Sequence, residues 1–183
     1  MNLWLRLIAY LLCVPWRPAL ALPDEASVLR FRAWPHDLDP SLHINNGRYL
    51  ALMDLGRLDV MIAAGLLRPV LARRWTPIAS NVLIRFRREI RLFQRFRLET
   101  RLLTWDETHV VMEQSFILEG GRRDGAVAAR ALFKGGIYDR TARRFVTVAE
   151  LMAEIGVSAE APEATPEVAA FLAADDTLRG RAG

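Results

Sequence analysis

Residues 45–65, N-N-G-R-Y-L-A-L-M-D-L-G-R-L-D-V-M-I-A-A-G, decide the fold of this chain. Apolar side chains would cover most of the circumference of a helix formed here, and a helix that is apolar nearly all round is a buried one. Asn45 and Asn46 favour its start, because an asparagine side chain can accept a free backbone N–H, and Gly65 favours its end. The sequence therefore predicts a buried helix over residues 47–64. It cannot cross a membrane, because three charged residues interrupt it: Asp54, Arg57 and Asp59.

Alternating apolar and polar residues predict strands on both sides of this helix. One strand is predicted at residues 27–34, and a polar loop joins it to the helix. After a linker that contains Pro69 and Pro77, four strands with glycine-containing turns between them are predicted at residues 78–90, 95–105, 110–119 and 127–138. Residues 143–148 predict a short extra strand, and residues 149–155 a helix. One buried helix beside an antiparallel run of strands is an α+β architecture.

The length and composition suit one globular domain with terminal appendages. The chain has 183 residues, and 52% of them are hydrophobic, which is enough for a core and argues against general disorder. We expect an apolar segment at residues 1–22, a domain at residues 23–151 and a tail at residues 152–183. The tail is rich in Ala, Glu and Pro, which predicts a loosely ordered segment or a surface helix.

The N-terminal segment allows three interpretations. Its apolar run, residues 7–14, is too short to cross a bilayer, which needs about 20 apolar residues. It has features of a signal peptide with a cleavage site at residues 19–21. However, Arg6 is the only positive charge ahead of the apolar run, and Arg17 lies between that run and the cleavage site. We favour a short helix that lies on a membrane or on the domain, with three side chains suited to an interface: Trp4, Tyr10 and Trp16.

Arginine dominates the charge of the chain. The formal net charge is +4, the sequence pI is about 10, and Lys134 is the only lysine. The planar arginine fork grips phosphate oxygens in pairs, which suits nucleic acid or a small molecule such as coenzyme A. No nucleic-acid-binding motif accompanies the charge, so we expect no nucleic-acid partner. Seven arginines lie close together in the sequence, and we interpret them as a solvated strand face or as a phosphate site. They are Arg85, Arg87, Arg88, Arg91, Arg95, Arg97 and Arg101.

The remaining reactive side chains predict no metal site and no resident cofactor. Cys13 is the only cysteine, so an internal disulfide is excluded, and so is a cysteine-based metal site within one chain. The three histidines lack the spacing of metal ligands: His36, His43 and His109. A single cysteine fits a reducing compartment, and we expect a cytoplasmic protein with membrane association through residues 1–22.

The loop before the buried helix predicts the chemistry. Residues 37–50 read D-L-D-P-S-L-H-I-N-N-G-R-Y-L. A helix N-terminus offers free N–H groups and a partial positive charge, which would stabilise the oxyanion formed when a thioester carbonyl is attacked. Asp39, just ahead of that terminus, is placed to activate water or to attack the carbonyl itself. The alternative is a turn residue, since Asp before Pro often starts a turn.

The pattern D-x-D-P-x-x-H-x-N-N-x-x-Y resembles the first-loop motif of the 4-hydroxybenzoyl-CoA thioesterase family of hotdog proteins. The following L-x-L-M-D-L-G-R-L-D is similar to the branch that includes the thioesterase-superfamily-member-six type. The resemblance covers about residues 27–138 and implies a hotdog fold, an antiparallel sheet wrapped around one long central helix. It also implies that subunits join sheets edge to edge, as a homodimer or a dimer of dimers, with acyl-CoA at the dimer interface.

The resemblance assigns roles to individual residues. Asp39 stands at the position of the family's catalytic aspartate, and the backbone N–H of Asn46 at that of its oxyanion donor. Tyr49 matches a tyrosine that mainly packs. His43 is either a second polar catalytic group or, as we favour, the residue that fixes the shape of the loop. Leu42 stands where the family commonly has Gly, which leaves the size of the substrate open.

Other residues remain candidates for the site. Arg88 and Arg91 are the best candidates to hold the phosphates of coenzyme A, because a strand end or turn gives them reach. Asp54 and Arg57 are three residues apart on the helix, which predicts an ordinary ion pair. The alternative is that Asp54 faces the pocket as an additional carboxylate.

The resemblance favours hydrolysis of a fatty or aromatic acyl-CoA. A second hypothesis is a non-catalytic module that binds acyl-CoA or lipid at a membrane surface, suggested by the apolar N-terminus and Leu42. A third is a hydratase or dehydratase, which usually pairs a histidine with a carboxylate; His43 is the only histidine near Asp39 in the sequence.

Overall fold

The computed structural model describes residues 3–157 and 160–180. Its helices are α1 (Leu3–Cys13), α2 (Asn46–Ala63), α3 (Leu67–Ala72), α4 (Val148–Glu154) and α5 (Pro166–Gly180). Its strands are β1 (Ala26–Arg32), β2 (Trp75–Phe86), β3 (Arg95–Trp105), β4 (His109–Glu119), β5 (Val127–Asp139) and β6 (Arg144–Phe145). Within the described residues, no helix is both long enough and apolar enough to cross a membrane.

Helix α2 lies at the centre of the fold, as the sequence predicts. It begins and ends one residue earlier than expected, and the side chains of Leu52 and Met53 are fully buried. Gly56 allows the helix to lie against the sheet, because a Cβ atom there would come within 2.5 Å of Thr100 Oγ1. The all-round apolar character of the sequence therefore reflects contacts on several sides of one helix.

The five long strands form one antiparallel sheet in the order β1-β3-β4-β5-β2, and β6 pairs with the end of β5. This sheet around a central helix is the α+β hotdog arrangement that the sequence predicts. The linker prediction was wrong in two places: α3 forms within it, and Pro77 lies inside β2. A proline is tolerated there because β2 is an edge strand, where a missing N–H need not break a ladder.

Strand β2 contains an irregularity that changes which residues face α2. Its register with β5 shifts between Ala79 and Asn81. Asn81 bonds to the C-terminal helix, whereas Ala79 lines a cavity beside α2. The extra residue at this bulge keeps an apolar row on the inner face of the strand. That row comprises Pro77, Ala79, Val82, Ile84 and Phe86.

Helix α1 packs on the domain through one face. Tyr10, expected at an interface of this helix with a membrane or with the domain, is buried against the domain, and its hydroxyl donates a hydrogen bond to Asp59 at 2.7 Å. Burial and this bond raise the pKa of the Tyr10 phenol. Arg17 and Ser27 also bond to Asp59, which is fully buried in α2. A carboxylate on α2, far away in sequence, satisfies the Tyr10 hydroxyl, so this side chain takes the placement on the domain, one of the two that the sequence allows.

The C-terminal tail contains helix α5, which packs on the sheet. Val168 and Phe171 are buried against Val111 and Leu132 of the sheet. Lys134 of β5 donates a hydrogen bond to Asp175 of α5 at 2.9 Å. The prediction of a loosely ordered tail was therefore wrong for Pro166–Gly180, and the alternative, a surface helix, is confirmed.

Candidate active site

The loop at residues 37–44 is a tight hairpin that closes onto the start of α2. Leu38 and Ile44 form an isolated bridge, and the Asp39 N–H donates to the His43 carbonyl at 3.0 Å. The Leu42 N–H then donates to the Asp39 carbonyl, also at 3.0 Å, which closes the turn. The backbone bonds hold Asp39 at the end of this hairpin, a few residues from the helix terminus. The loop that carries the sequence motif is therefore a hydrogen-bonded hairpin that leads directly into the N-terminus of α2.

The Asp39 carboxylate is partly exposed and lightly bonded. One oxygen accepts the Ser41 N–H at 3.0 Å, and the other lies 3.5 Å from Nδ1 of His43. Its side chain is 19% exposed, and that of His43 is 29% exposed. A carboxylate with one short bond keeps lone pairs available for water or a substrate. The structure thus brings together Asp39, the predicted catalytic carboxylate, and His43, predicted either to fix the loop or to act as a second polar group.

The N-terminus of α2 offers a free backbone donor next to this loop. Asn45 is the N-cap, and its Oδ1 accepts the Gly47 N–H at 2.9 Å. Within the described part of the chain, the Asn46 N–H forms no hydrogen bond. First-turn amides without an internal partner, at the positive end of the helix dipole, are suited to an anionic oxygen. The role expected for Asn46 therefore fits the local geometry.

A second aspartate, which sequence reasoning gave no role, anchors the loop. The side chain of Asp37 is 1% exposed, and its Oδ2 accepts hydrogen bonds from Arg6 at 2.5 Å and from the Trp34 N–H at 2.9 Å. Arg48 lies 3.5 Å from its other oxygen. One local signal was present in the sequence: an acid three residues after Trp34 can cap the first turn of a helix. The ion pair with Arg6 had no sequence signal.

Arg88 and Arg91 are the two arginines expected at the coenzyme A phosphates. In the structure, the backbone of Arg91 contacts the loop at residues 37–44. Arg91 forms a backbone bridge with His43, and its exposed side chain pairs with Glu89 at 3.0 Å. Arg88 is exposed and donates to the Val127 carbonyl at 3.0 Å. The described residues contain no cluster of three or more metal-binding side chains.

A cavity of about 370 Å³ lies beside the second half of α2. It is bounded by α2, by β2, β4 and β5, and by α4, and its lining side chains are mostly apolar. Asp54 and Arg57 are among them and form the expected ion pair, and the Asp54 side chain is 62% exposed at the cavity. Asp39 does not line this cavity. The cavity was not foreseen because its walls come from segments far apart in sequence.

Arg57 holds the polar part of this cavity in place. Its guanidinium bonds to Asp54 and donates to Gln114 Oε1 at 2.7 Å, and it lies 4.1 Å from the centre of the Phe133 ring. Gln114 is fully buried and donates in turn to the Met53 carbonyl at 2.9 Å. Burial lowers the pKa of Arg57 below its ordinary value, while Asp54 acts in the opposite direction. The arginine is therefore held by three neighbours: Asp54, Gln114 and Phe133.

Comparison with known proteins agrees with this architecture. A family model of the thioesterase-like superfamily matches residues 33–172. The chain belongs to this superfamily. The matched segment includes the loop, α2, all strands after β1 and the start of α5.

Relatives in the superfamily support the same placement. The chain is 33% identical over 110 residues to protein THEM6 of Danio rerio, a match that covers 60% of this chain and 53% of the relative. It is 30% identical over 130 residues to protein THEM6 of Drosophila melanogaster, covering 71% of this chain and 63% of the relative. The chain thus spans between about half and two thirds of the length of these relatives.

A solved structure shows the same fold. It is a 4-hydroxybenzoyl-CoA thioesterase in which an aspartate is replaced by asparagine, in complex with 4-hydroxybenzoyl-CoA. The two chains share 16% identity with a TM-score of 0.65, over 71% of this chain and 97% of that chain. At this identity the likeness establishes the fold, and the hotdog prediction is confirmed.

Leu42 departs from the glycine common in the related family, and the structure explains why glycine suits the position. Leu42 has φ of 61° and its side chain is 70% exposed. This left-handed conformation costs a residue with a Cβ atom roughly 1–2 kcal/mol, whereas glycine adopts it freely. Because the side chain points largely to solvent in this protomer, it does not narrow the loop itself.

Proposed function

We propose that this protein is an acyl-CoA thioesterase with Asp39 as its catalytic carboxylate. The observation that carries the proposal is a partly exposed, lightly bonded carboxylate in the loop that leads directly into α2, whose first amide, that of Asn46, has no hydrogen bond among the described residues. Thioester hydrolysis needs both a base or nucleophile and a donor for the developing oxyanion. Membership of the thioesterase-like superfamily supports the same reaction.

In the proposed mechanism, Asp39 removes a proton from a water molecule as the water oxygen attacks the thioester carbon. The carbonyl oxygen becomes an oxyanion and accepts a hydrogen bond from the Asn46 N–H. The carbon–sulfur bond then breaks, and the proton held by Asp39 passes to the departing thiolate. The alternative is direct attack by Asp39 to form a mixed anhydride, which water hydrolyses. Both routes release a free acid and coenzyme A.

His43 is proposed to hold Asp39 in position. Its Nδ1 lies between the Ile44 carbonyl at 3.3 Å and the Asp39 carboxylate at 3.5 Å. An imidazole at this distance restricts the rotamers that the Asp39 carboxylate can adopt. This arrangement favours a positioning role for His43, and with it hydrolysis over the hydratase alternative.

We also propose that two protomers pair through the open edge of β2. This strand bonds to β5 on one side, and Leu83 and Phe86 are exposed. An unpaired edge with apolar side chains is a template for another strand. In such a dimer, the arginines after β2, including Arg88 and Arg91, would lie near the junction and could hold the phosphates of coenzyme A.

Thiol release from a panel of acyl-CoAs tests the proposal. We expect turnover of at least one short, medium, long or aromatic acyl-CoA, and a loss of about 10²- to 10⁴-fold in kcat for Asp39→Asn. Asp176→Asn is the matched control, because it alters an exposed carboxylate of α5 outside the loop and the cavity and should keep the rate. Asp54→Asn, at the cavity, is measured beside it. An inactive panel would remove the proposal, and an inactive Asp54→Asn with an active Asp39→Asn would move the chemistry to the cavity.

One observation favours the second candidate, an acyl-CoA or lipid-binding module at a membrane. The charged residues at α1 turn inward, Arg6 to Asp37 and Arg17 to Asp59, while its outer face exposes large apolar side chains. These are Trp4, Leu5, Ile8, Leu11, Leu12 and Trp16. Such a face suits the interfacial layer of a bilayer. Vesicle co-sedimentation would support it if Trp4→Ser with Trp16→Ser abolishes binding, and binding insensitive to both changes would contradict it.

A further inference from the structure

One face of α2 runs from near the catalytic loop to the cavity, and we infer that it is one wall of a groove between them. Residues at spacings of four and three share one face of a helix. Leu50, Asp54, Leu58 and Met61 follow this spacing, and the last three line the cavity. At a rise of about 1.5 Å per residue, Asp54 lies about 12 Å and Met61 about 22 Å along the helix from Asn46.

The inner row of β2 forms the opposite wall. The ring of Phe86, at the end of the strand, lies 5.1 Å from that of Tyr49 in the first turn of α2. At the other end of the strand, Pro77 and Ala79 share the cavity with Met61. The strand therefore runs beside the helix in the opposite direction, and its apolar row leads from the helix tip to the cavity.

The far end of the cavity is closed by segments outside the central helix and the five long strands. Leu22, which precedes β1, and Val148 and Met152 of α4 complete its lining. A volume of about 370 Å³ holds about a dozen carbon atoms at the roughly 30 Å³ that a small group occupies in a liquid. An aromatic acyl group held at the tip of α2 would leave this space empty.

We propose that the groove and cavity bind the tail of a long fatty acyl chain, so that the substrate class is long-chain acyl-CoA; this inference rests on the proposed thioesterase function. An extended chain advances about 1.3 Å per carbon, given bonds of about 1.5 Å. A carbonyl at the tip of α2 then places about the tenth carbon at Asp54 and about the seventeenth at Met61. Chains of about 14 to 18 carbons reach into the cavity, and chains of about eight do not reach it.

The ion pair at the mouth of the cavity is compatible with an apolar chain. Asp54 and Arg57 neutralise each other, and Arg57 is already committed to Gln114 and to the face of Phe133. A methylene chain can pass such a pair without leaving a buried charge alone. Each methylene that leaves water for the cavity then strengthens binding about fourfold.

A chain-length series with variants of the cavity tests the inference. kcat/KM would be measured for saturated acyl-CoAs of about 6 to 18 carbons, below their micelle concentrations, and for benzoyl-CoA; we expect a rise of at least tenfold from about 8 to about 16 carbons. Ala79→Trp fills the cavity and should move the optimum to shorter chains. Met61→Ala enlarges it and should extend the optimum. Ala72→Trp, on the exposed side of α3, is the matched control and should leave the series unchanged.

A binding measurement separates this inference from the proposed function. Titration calorimetry of Asp39→Asn should give tighter binding of hexadecanoyl-CoA than of octanoyl-CoA, and Ala79→Trp added to it should remove the difference. If acyl-CoAs are hydrolysed but neither cavity variant changes the chain-length series, the inference is overturned and the thioesterase stands. If nothing is hydrolysed but the binding difference is present and lost with Ala79→Trp, the acyl site stands and the proposed function fails.

Discussion

Asp37 and Asp39 lie two residues apart in one loop, yet their surroundings are opposite. Asp37 is 1% exposed and accepts hydrogen bonds from a guanidinium and a backbone amide, with a second guanidinium nearby. Asp39 is 19% exposed, with one short bond and a histidine at 3.5 Å. A carboxylate whose lone pairs are occupied holds structure, and one whose lone pairs are free can do chemistry. The same residue type therefore has two different environments within one hairpin, which fits the different roles that we propose for the two residues.

The largest expected difference between the two is in stability. Asp37→Asn should lower the free energy of unfolding by about 1–3 kcal/mol, because it removes the charge that pairs with the partly buried Arg6 and weakens the bonds of a buried side chain. Asp39→Asn should change it by no more than about 0.5 kcal/mol, as for an ordinary surface substitution. Urea unfolding followed by circular dichroism measures both. Equal losses in the two variants would break the comparison, because both carboxylates would then be structural.

The next effect concerns the neighbour of Asp39. His43→Gln should lower kcat about tenfold, equivalent to about 1.4 kcal/mol, because the carboxylate loses the group that orients it. Thiol release across a range of pH separates the two roles of His43. A positioning residue gives a lower rate with an unchanged pH profile, whereas loss of the limb with an apparent pKa near that of histidine would make His43 an acid or base.

The smallest effect is at the turn that carries Asp39. Leu42→Asn should raise the free energy of unfolding by about 0.5–1 kcal/mol, since asparagine tolerates a positive φ better than leucine. Thermal unfolding of the unchanged protein and of Leu42→Asn measures this difference in stability. Leu50→Asn, at an exposed position with helical φ, is the control. A lower stability of Leu42→Asn would mean that the Leu42 side chain makes stabilising contacts beyond those seen in the described chain.

The parts of the fold that the sequence predicts are those set by local pattern. The apolar run of α2 and its asparagine cap predict the buried helix, and the D-x-D-P loop predicts the place of Asp39. Asp37 was missed because its strongest partner, Arg6, lies 31 residues away. The packing of α5 was missed for the same reason, since Lys134 and Asp175 are 41 residues apart. No local pattern reports a contact between segments so distant.

The burial of Lys134 has a practical consequence for following motion at the C-terminus. It carries the only side-chain amine of the chain, and it is 5% exposed under α5, where it lowers the pKa of Asp175 by hydrogen bonding. Amine-acylating reagents can reach it only when that helix lifts from the sheet. Mass spectrometry can follow the rate at which Lys134 gains one acyl group. That rate therefore reports directly how often α5 detaches from the sheet.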